Sequence, residues 1–336
     1  MYPLLRHILF RLDPETAHHI ALTSLNWLAP WRAFLGHRTI EHQPITVMGL
    51  TFPNWVGIAA GLDKNGHYIN GLSTLGAGFI EIGTLTPMAQ PGNAKPRLFR
   101  LIEANALINR MGFNNEGLSP PLPELRSRQN RRFRLGINIG KNFQTPIENA
   151  LSDYQEAFRQ VYSLADYVTL NISSPNTKNL RSLQQGMALD KLLYAMKAQQ
   201  KQLQHHHQKY VPLAVKIAPD LTDEELNEIA QLLLHHKIDG VIATNTTLNR
   251  YGVSHLPQAA EVGGLSGLPL FERSLEVVSY LSRRLDTHIP IIGVGGIQSP
   301  EQALRMRNAG ASLIQVYTGL IYQGPKLIKE LIYATQ

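Results

Sequence analysis

Residues 291–319 are IIGVGGIQSPEQALRMRNAGASLIQVYTG, in which two short apolar runs flank a helical pattern. The runs predict strands at Ile291–Val294 and Leu313–Tyr317, because short buried strands are rich in β-branched apolar residues. Between them the pattern predicts a helix over Pro300–Asn308, with Ser299 as its N-cap. A strand, a helix and a second strand of these lengths form a parallel βαβ unit.

The same alternation repeats along the chain from about residue 45. Six further apolar runs predict strands at Val56–Ala59, Phe79–Gly83, Leu135–Ile139, Tyr167–Ile172, Leu213–Ile217 and Val241–Thr244. Amphipathic patterns predict helices at Ile147–Leu164, Leu189–Gln204, Asp223–His235 and Phe271–Leu285. Thr222 is the predicted N-cap of the helix that begins at Asp223. Eight such strands predict an α/β fold, the (β/α)8 TIM barrel, with a doubly wound open sheet as the alternative. The longest gap between strands, Pro87 to Pro123, is predicted to be an active-site insertion.

The composition excludes several kinds of site. The chain has no cysteine, which removes disulfides, thiolate nucleophiles, Fe–S clusters and cysteine-ligated zinc. Its net charge of +7 permits anionic partners. However, the basic run from Arg126 to Arg134 contains one aromatic residue, Phe133, which favours a solvated surface and no nucleic-acid partner. Residues 205–207 are three consecutive histidines, whose side chains would point in different directions on a helix. This arrangement predicts a polar helix end and not a metal site.

The first 36 residues predict two amphipathic helices. The first carries Leu4, Leu5, Ile8 and Leu9 on one side. Asp13 and Pro14 are an N-cap and a first-turn residue for the second helix, which Pro30 is expected to limit. No apolar stretch reaches the roughly 20 residues that span a bilayer. The pattern leaves two interpretations open, a cap packed on the main domain or an interfacial membrane anchor.

Nearly every predicted strand ends on a polar residue. These residues are Lys64, Thr84, Asn138, Asn171, Lys216, Thr244, Asn245, Tyr317 and Thr318. Because the carboxyl ends of barrel strands converge at one face, they predict a shared active site. The glycines of residues 293–296 precede a helix start on the seventh strand, a position that favours a phosphate-bearing ligand, and residues 263–267 add a second glycine loop.

The remaining candidate residues indicate a class of ligand. Asn109, Asn171, Asn176 and Asn245 can each donate and accept hydrogen bonds, which complements a ring with alternating N–H and C=O groups, such as a pyrimidine. Lys64 and Lys216 supply positive charge for an anionic substrate or an electron-rich cofactor. The predicted site contains no carboxylate pair, histidine base or metal cage, which disfavours hydrolysis and metal-assisted chemistry.

Ten motifs in order carry a resemblance over essentially the whole chain. They are AAGLDKNG (59–66), EIGTLTP (81–87), KPRLFRL (95–101), LINRMGFNN (107–115), GINIGKN (136–142), NISSPNT (171–177), VKIAPDL (215–221), ATNTT (243–247), GGLSG (263–267) and GVGGI (293–297). The chain resembles the class 2 dihydroorotate dehydrogenases. The resemblance implies FMN-dependent oxidation of (S)-dihydroorotate to orotate in pyrimidine (UMP) synthesis, with a membrane quinone as electron acceptor.

The resemblance also implies roles for individual residues. Ser174 would be the base that removes the C5 proton while hydride passes from C6 to flavin N5. The substrate would be bound by Lys64, Asn109, Arg110, Met111, Gly112, Phe113, Asn171, Asn176, Asn245 and Thr246. FMN would be bound by Ala60, Gly61, Leu62, Asp63, Lys64, Thr84, Asn138, Asn171, Lys216, Thr244, Gly267, Gly296, Tyr317 and Thr318. Lys216 would stabilise the reduced flavin anion. Thr318 stands where the family pattern has a serine, and either hydroxyl can bind a phosphate.

The resemblance bears on the N-terminal helices and on competing functions. Class 1 relatives use a cysteine base, which this chain lacks. Residues 1–36 would form a quinone tunnel and membrane contact through Leu5, Ile8, Leu9, Leu22 and Leu25, ahead of a catalytic domain at 37–336. The expected protein is a monomer without metal, peripheral at the cytoplasmic side of the inner membrane. Competing functions are a lyase or aldolase with a Schiff base on Lys216, a flavoprotein acting on RNA uridines, and a non-catalytic binding barrel.

Overall fold

The computed structural model describes residues 2–34, 44–118 and 133–334. Its centre is a closed barrel of eight parallel strands in which neighbours in sequence pair with each other and the eighth pairs with the first. The barrel strands are Val56–Ile58, Phe79–Leu85, Arg134–Ile139, Tyr167–Asn171, Leu213–Ile217, Gly240–Ala243, Ile291–Val294 and Ala311–Val316. The predicted (β/α)8 barrel is therefore confirmed, since a closed sheet is incompatible with the open alternative.

The barrel strands are apolar along most of their length because both faces are covered. Every residue of Tyr167–Asn171 and Leu213–Ile217 is buried, one face against the flanking helices and the other in the barrel interior. Four polar side chains are also fully buried on the barrel strands, Glu81, Asn138, Thr169 and Gln315. Burying a polar group costs free energy unless it is hydrogen-bonded inside the barrel.

Helices surround the barrel where the sequence patterns predict them. They are Ala150–Val161, Gly186–His207, Asp223–His235, Phe271–Leu285 and Pro300–Asn308, with shorter helices at Ile69–Ser73, Thr318–Gln323 and Lys326–Tyr333. The last three of the five long ranges match the predictions at both ends. Both predicted caps are confirmed, since Thr222 accepts a hydrogen bond from the Glu225 amide and Ser299 accepts one from the Gln302 amide. The histidines of residues 205–207 end their helix, as predicted.

The segment between the second and third barrel strands forms a hairpin beside the barrel mouth. Leu98–Leu101 pairs antiparallel with Ala106–Asn109. The second of these strands also pairs with Gly264–Gly267, which follows the sixth barrel strand. This three-stranded sheet brings Asn109 and Ser266 to the carboxyl ends of the barrel strands. Residues 119–123 of the predicted insertion, and most of the basic run from Arg126 to Arg134, lie outside the described residues.

The N-terminal helices are Tyr2–Leu9 and Pro14–Phe34. Asp13 caps the second, since its Oδ1 accepts a hydrogen bond of 2.9 Å from the Thr16 amide. The prediction that Pro30 limits this helix is wrong, because Pro30 lies inside it. A proline removes one backbone hydrogen bond, yet the helix continues to Phe34. The predicted domain boundary at residue 36 lies outside the described residues.

The two N-terminal helices pack on the barrel and also expose apolar side chains. The hydroxyl of Tyr2 donates to the Ile321 carbonyl, and Arg6 donates to the Tyr322 carbonyl at 2.7 Å. Leu22 belongs to the main hydrophobic core. Seven large apolar side chains of these helices are exposed, namely Leu4, Leu5, Ile8, Ile20, Trp27, Leu28 and Trp31. Within the described ranges, no helix is both long and apolar enough to cross a bilayer.

Candidate active site

A cavity lies at the carboxyl ends of the barrel strands, where the polar strand ends converge. Its volume is about 1060 Å³, including the solvent at its mouth. Most of the residues predicted to act on or bind the substrate line this cavity. They are Lys64, Asn109, Met111, Gly112, Phe113, Asn171, Ser174, Asn176, Asn245 and Thr246. Most of the residues predicted to bind the cofactor also line the cavity. They are Ala60, Gly61, Lys64, Thr84, Asn171, Lys216, Thr244, Gly267, Gly296, Tyr317 and Thr318.

Four predicted site residues lie outside the cavity lining. Arg110 points away, with Nη1 paired to Glu261 at 2.6 Å and its guanidinium over the Phe99 ring. Leu62 is buried in the main core. The Asp63 carboxylate accepts three backbone amide hydrogen bonds within the turn that follows the first barrel strand. Asn138 is fully buried one layer further inside the barrel.

The carboxamides form two hydrogen-bonded groups in the cavity wall. In the first, Asn171 Nδ2 donates to Asn138 Oδ1 at 3.1 Å, and Asn245 Nδ2 donates to Asn171 Oδ1 at 3.3 Å. In the second, Asn176 Nδ2 donates to Asn109 Oδ1 at 3.2 Å. The first group comes from barrel strands and the loops after them, whereas Asn109 comes from the hairpin. The two groups therefore offer amide donors and acceptors from different sides of the cavity.

Ser174 lies in the loop after the fourth barrel strand. Its side chain is buried and lines the cavity, and its Oγ accepts a hydrogen bond of 3.2 Å from the Asn176 amide. Among the described residues, the cavity lining contains no histidine or carboxylate that could accept its proton. Ser174 is thus held by a donor that favours a negatively charged oxygen.

Two of the described lining residues have charged side chains, Lys64 and Lys216. Burial lowers the pKa of Lys64 to about 8, with the nearby charge of Glu15 opposing the shift. Burial also lowers the pKa of Lys216, and the charge of Glu81 opposes that shift. The cavity therefore presents positive charge without a carboxylate in its described lining, which suits an anionic ligand.

One end of the cavity is made of glycine turns and hydroxyl groups. Gly295 and Gly296 follow the seventh barrel strand, and both have positive φ, 134° and 74°. Gly296 also needs to be glycine because an added Cβ would lie 2.6 Å from the Phe271 backbone nitrogen. The hydroxyls of Ser266 and Thr318 lie 2.8 Å apart in the same lining. Exposed amides and hydroxyls of this kind are the groups that bind a phosphate.

Comparison with known proteins agrees with this site. A family model for dihydroorotate dehydrogenase matches residues 44–334. The chain belongs to the dihydroorotate dehydrogenase family. It is similar to the dihydroorotate dehydrogenase (quinone) of Chromobacterium violaceum, with 57% identity over 341 residues covering 100% of this chain and 97% of the relative. The enzyme of the same name from Acinetobacter baylyi is 54% identical over 334 residues, 99% of each chain. These relatives confirm the predicted resemblance to the quinone-dependent class 2.

Solved structures agree with the family assignment. A crystal structure of the dihydroorotate dehydrogenase of Eimeria tenella in complex with ferulenol is 39% identical to this chain. The two structures superimpose with a TM-score of 0.87, over 96% of this chain and 90% of that one. The likeness extends across the barrel and most of its additions, so it concerns more than the common TIM barrel.

The dihydroorotate dehydrogenase barrel contains site residues that the sequence patterns do not single out. Asn114, Ser266 and Gln315 line the cavity, and Glu81 lies beneath it. Glu81 and Gln315 carry a recognisable signal, since each is a polar residue within an apolar strand pattern. Such residues are buried only when partners are available, and those partners are distant in sequence. Ser266 carries a weaker signal, because serine is common in glycine-rich turns.

Proposed function

We propose that this protein catalyses the FMN-dependent oxidation of (S)-dihydroorotate to orotate in pyrimidine (UMP) synthesis, with quinone as electron acceptor. The lining of the cavity carries this proposal. Ser174 lies among carboxamides, and the charged side chains in the described lining are both lysines. These groups complement an anionic pyrimidine ring and supply a proton acceptor without a metal. Relatives named dihydroorotate dehydrogenase (quinone), 54% and 57% identical, support the same reaction.

The chemistry of the donors supports FMN as the flavin. The phosphate would be held where Gly267, Gly296 and Thr318 meet, since this end of the cavity offers amides and hydroxyls. The ring would lie against the remaining predicted cofactor residues, including Ala60, Gly61, Thr84, Thr244 and Tyr317. Lys216 would hold positive charge beside it. FMN supplies the acceptor for the hydride that leaves C6 of the substrate.

Dihydroorotate would bind between the hairpin and the loops after the fourth and sixth barrel strands. Asn109, Asn176 and Asn245 would contact the ring, and Lys64 would pair with the carboxylate. Ser174 Oγ would take the C5 proton, with the Asn176 amide stabilising the charge on the oxygen. A serine is a weak base unless it is positioned and can pass its own proton on, so the rate should rise with pH.

The N-terminal helices would serve the quinone and the membrane. Tryptophan side chains at 27 and 31 are exposed, together with leucines and isoleucine at positions 4, 5 and 8. An amphipathic surface of this kind binds the interfacial region of a membrane. The resemblance to the quinone-dependent class adds the cytoplasmic side of the inner membrane as the place of the enzyme. The second helix begins near the cavity, since its Glu15 pairs with Arg97 at 3.0 Å, just before the hairpin, and its charge acts on Lys64 and Tyr317 in the lining. It is therefore placed to border a quinone entry path.

Rapid mixing with Ser174→Ala tests the proposal. We expect this variant to keep its flavin but to be reduced by dihydroorotate about 10²–10⁴-fold more slowly, the usual contribution of a positioned base. Ser182→Ala, in an exposed turn of the same loop, is the matched control and should react as the wild type does. Flavin reduction at the wild-type rate in Ser174→Ala would remove this serine from the mechanism. A Lys216 imine trapped by borohydride would favour the Schiff-base alternative.

A further inference from the structure

Glu81 is a carboxylate in the barrel interior that the proposed function does not use. It lies on the second barrel strand, three residues before Thr84, and is fully buried. Its Oε1 accepts a hydrogen bond from Asn138 Nδ2, and its Oε2 accepts from the Tyr167 hydroxyl and from Gln315 Nε2, each at 2.8 Å. A buried charge is tolerated only when its oxygens are satisfied in this way. Three strands besides its own contribute these donors.

The carboxylate sets the direction of a chain of carboxamides. Because an ionised carboxylate only accepts hydrogen bonds, Asn138 must turn its amide nitrogen toward Glu81. Its Oδ1 then faces the opposite way and accepts from Thr84 Oγ1 at 2.6 Å and from Asn171 Nδ2 at 3.1 Å. This leaves Asn171 Oδ1 to accept from Asn245 Nδ2 at 3.3 Å. The last two carboxamides line the cavity, so the carboxylate determines which of their atoms are free for ligands.

The orientation of Gln315 supports this ordering effect. Its Nε2 faces Glu81, while its Oε1 is buried without a hydrogen-bond partner. An unpaired buried acceptor is unfavourable. Reversing the amide would place its oxygen against the carboxylate, which is worse. The direction of this side chain therefore agrees with a negatively charged Glu81, which accepts from Nε2.

The same charge acts on Lys216. Lys216 is at the fourth position of the fifth barrel strand, lines the cavity, and is buried. Burial favours its neutral form, and the charge of Glu81 favours its cationic form. A lysine beside a flavin stabilises the reduced anion only while it is charged.

We propose that Glu81 is a positioning residue for the flavin: it fixes the direction of the Asn138–Asn171–Asn245 chain of carboxamides, two of which line the cavity. Glu81 is not among the residues that line the cavity, so it acts through these other side chains. The inference rests on one part of the proposed function, namely that a flavin occupies the cavity.

Glu81→Gln keeps the size of the side chain, removes its charge and gives it an amide group that one of the three donors must face. We expect the stabilisation of the reduced over the oxidised flavin to fall about tenfold. For a two-electron couple this corresponds to a reduction potential about 30 mV lower. We also expect KM for dihydroorotate to rise more than kcat falls, because the carboxamides that face the substrate lose their fixed direction.

The test is a reductive titration of the holoenzyme against a reference dye, which needs bound flavin but no dihydroorotate. Glu103→Gln, which removes an exposed negative charge, is the matched control and should leave the potential unchanged. A potential in Glu81→Gln equal to that of the wild type would overturn the inference. If this variant does not fold, Tyr167→Phe removes one of the three hydrogen bonds that hold the carboxylate in place. It should weaken the stabilisation of the reduced flavin about twofold to threefold, which corresponds to a potential about 9–14 mV lower. An unchanged potential in Tyr167→Phe would then overturn it.

This design separates the inference from the proposed function. If dihydroorotate fails to reduce the wild-type flavin, the proposed substrate is wrong, yet the effect of Glu81 on the potential can still be measured. If the substrate reduces the wild-type flavin and the potential does not depend on Glu81, only the inference fails.

Discussion

Gln90 holds the turn that carries Gly112 and Phe113 over the cavity. Its Nε2 donates to the carbonyl oxygens of Gly112 at 3.1 Å and Phe113 at 3.0 Å. Its Oε1 accepts from Asn142 Nδ2 at 3.0 Å and from the Phe143 amide at 2.8 Å. Phe113 has a φ of 53°, in the left-handed region that is unfavourable for a residue with a side chain. The turn therefore depends on these hydrogen bonds for its shape.

Gln90→Met keeps the length of the side chain and removes its hydrogen bonds. The two bonds to the turn contribute about 1 kcal/mol each. The left-handed conformation of Phe113 costs about 1–2 kcal/mol, so the turn without Gln90 loses most of its preference for the observed shape. A loss of about 2 kcal/mol corresponds to roughly 30-fold weaker substrate binding. We expect KM for dihydroorotate to rise by about that factor, with a smaller change in kcat because Ser174 lies on a different loop.

Steady-state kinetics with a soluble dye as acceptor measure this effect. Gln144→Met, an exposed glutamine in the neighbouring loop, is the matched control. Gln90→Glu keeps the oxygen that accepts from Asn142 and Phe143 but sets a second, negatively charged oxygen against the two carbonyl groups, so its KM should rise at least as much. A folded Gln90→Met protein with the melting temperature and the KM of the wild type would refute the role of Gln90.

Two further predictions concern charge and the membrane. Because burial lowers the pKa of Lys64 to about 8, this lysine loses its charge as the pH rises through that value. The dissociation constant of orotate, followed by the flavin spectrum, should therefore rise above pH 8, and a constant value there would contradict pairing of Lys64 with the carboxylate. Replacing the exposed Trp27 and Trp31 by serine should weaken binding to anionic vesicles and raise KM for a long-chain quinone without changing dye reduction. Tyr251→Ser is the control, and vesicle binding equal to that of the wild type would argue against a membrane-facing role for these helices.

The barrel could be predicted from the sequence because its signals are local. Strands buried on both faces give short apolar runs, and helix caps such as Thr222 and Ser299 act within three residues of themselves. The strand-end rule of the TIM barrel then brings polar residues such as Asn171 and Lys216 together without any knowledge of their contacts.

Features that depend on distant residues could not be predicted in the same way. The pairing of Ala106–Asn109 with Gly264–Gly267 joins segments more than 150 positions apart, and neither segment indicates its partner. Membership of a motif also does not say where a side chain points. Arg110 belongs to the motif at 107–115, yet its side chain pairs with Glu261 outside the cavity lining. The partners of Glu81 come from three other strands, so its buried position can be suspected from the sequence but its network cannot.

The visible spectrum of the purified holoenzyme during an anaerobic titration with dihydroorotate tests the proposed reaction most directly. The account predicts a yellow protein whose flavin absorbance bleaches with one equivalent of substrate and returns when quinone is added. A protein without flavin absorbance, or a bound flavin that dihydroorotate does not bleach, would contradict it.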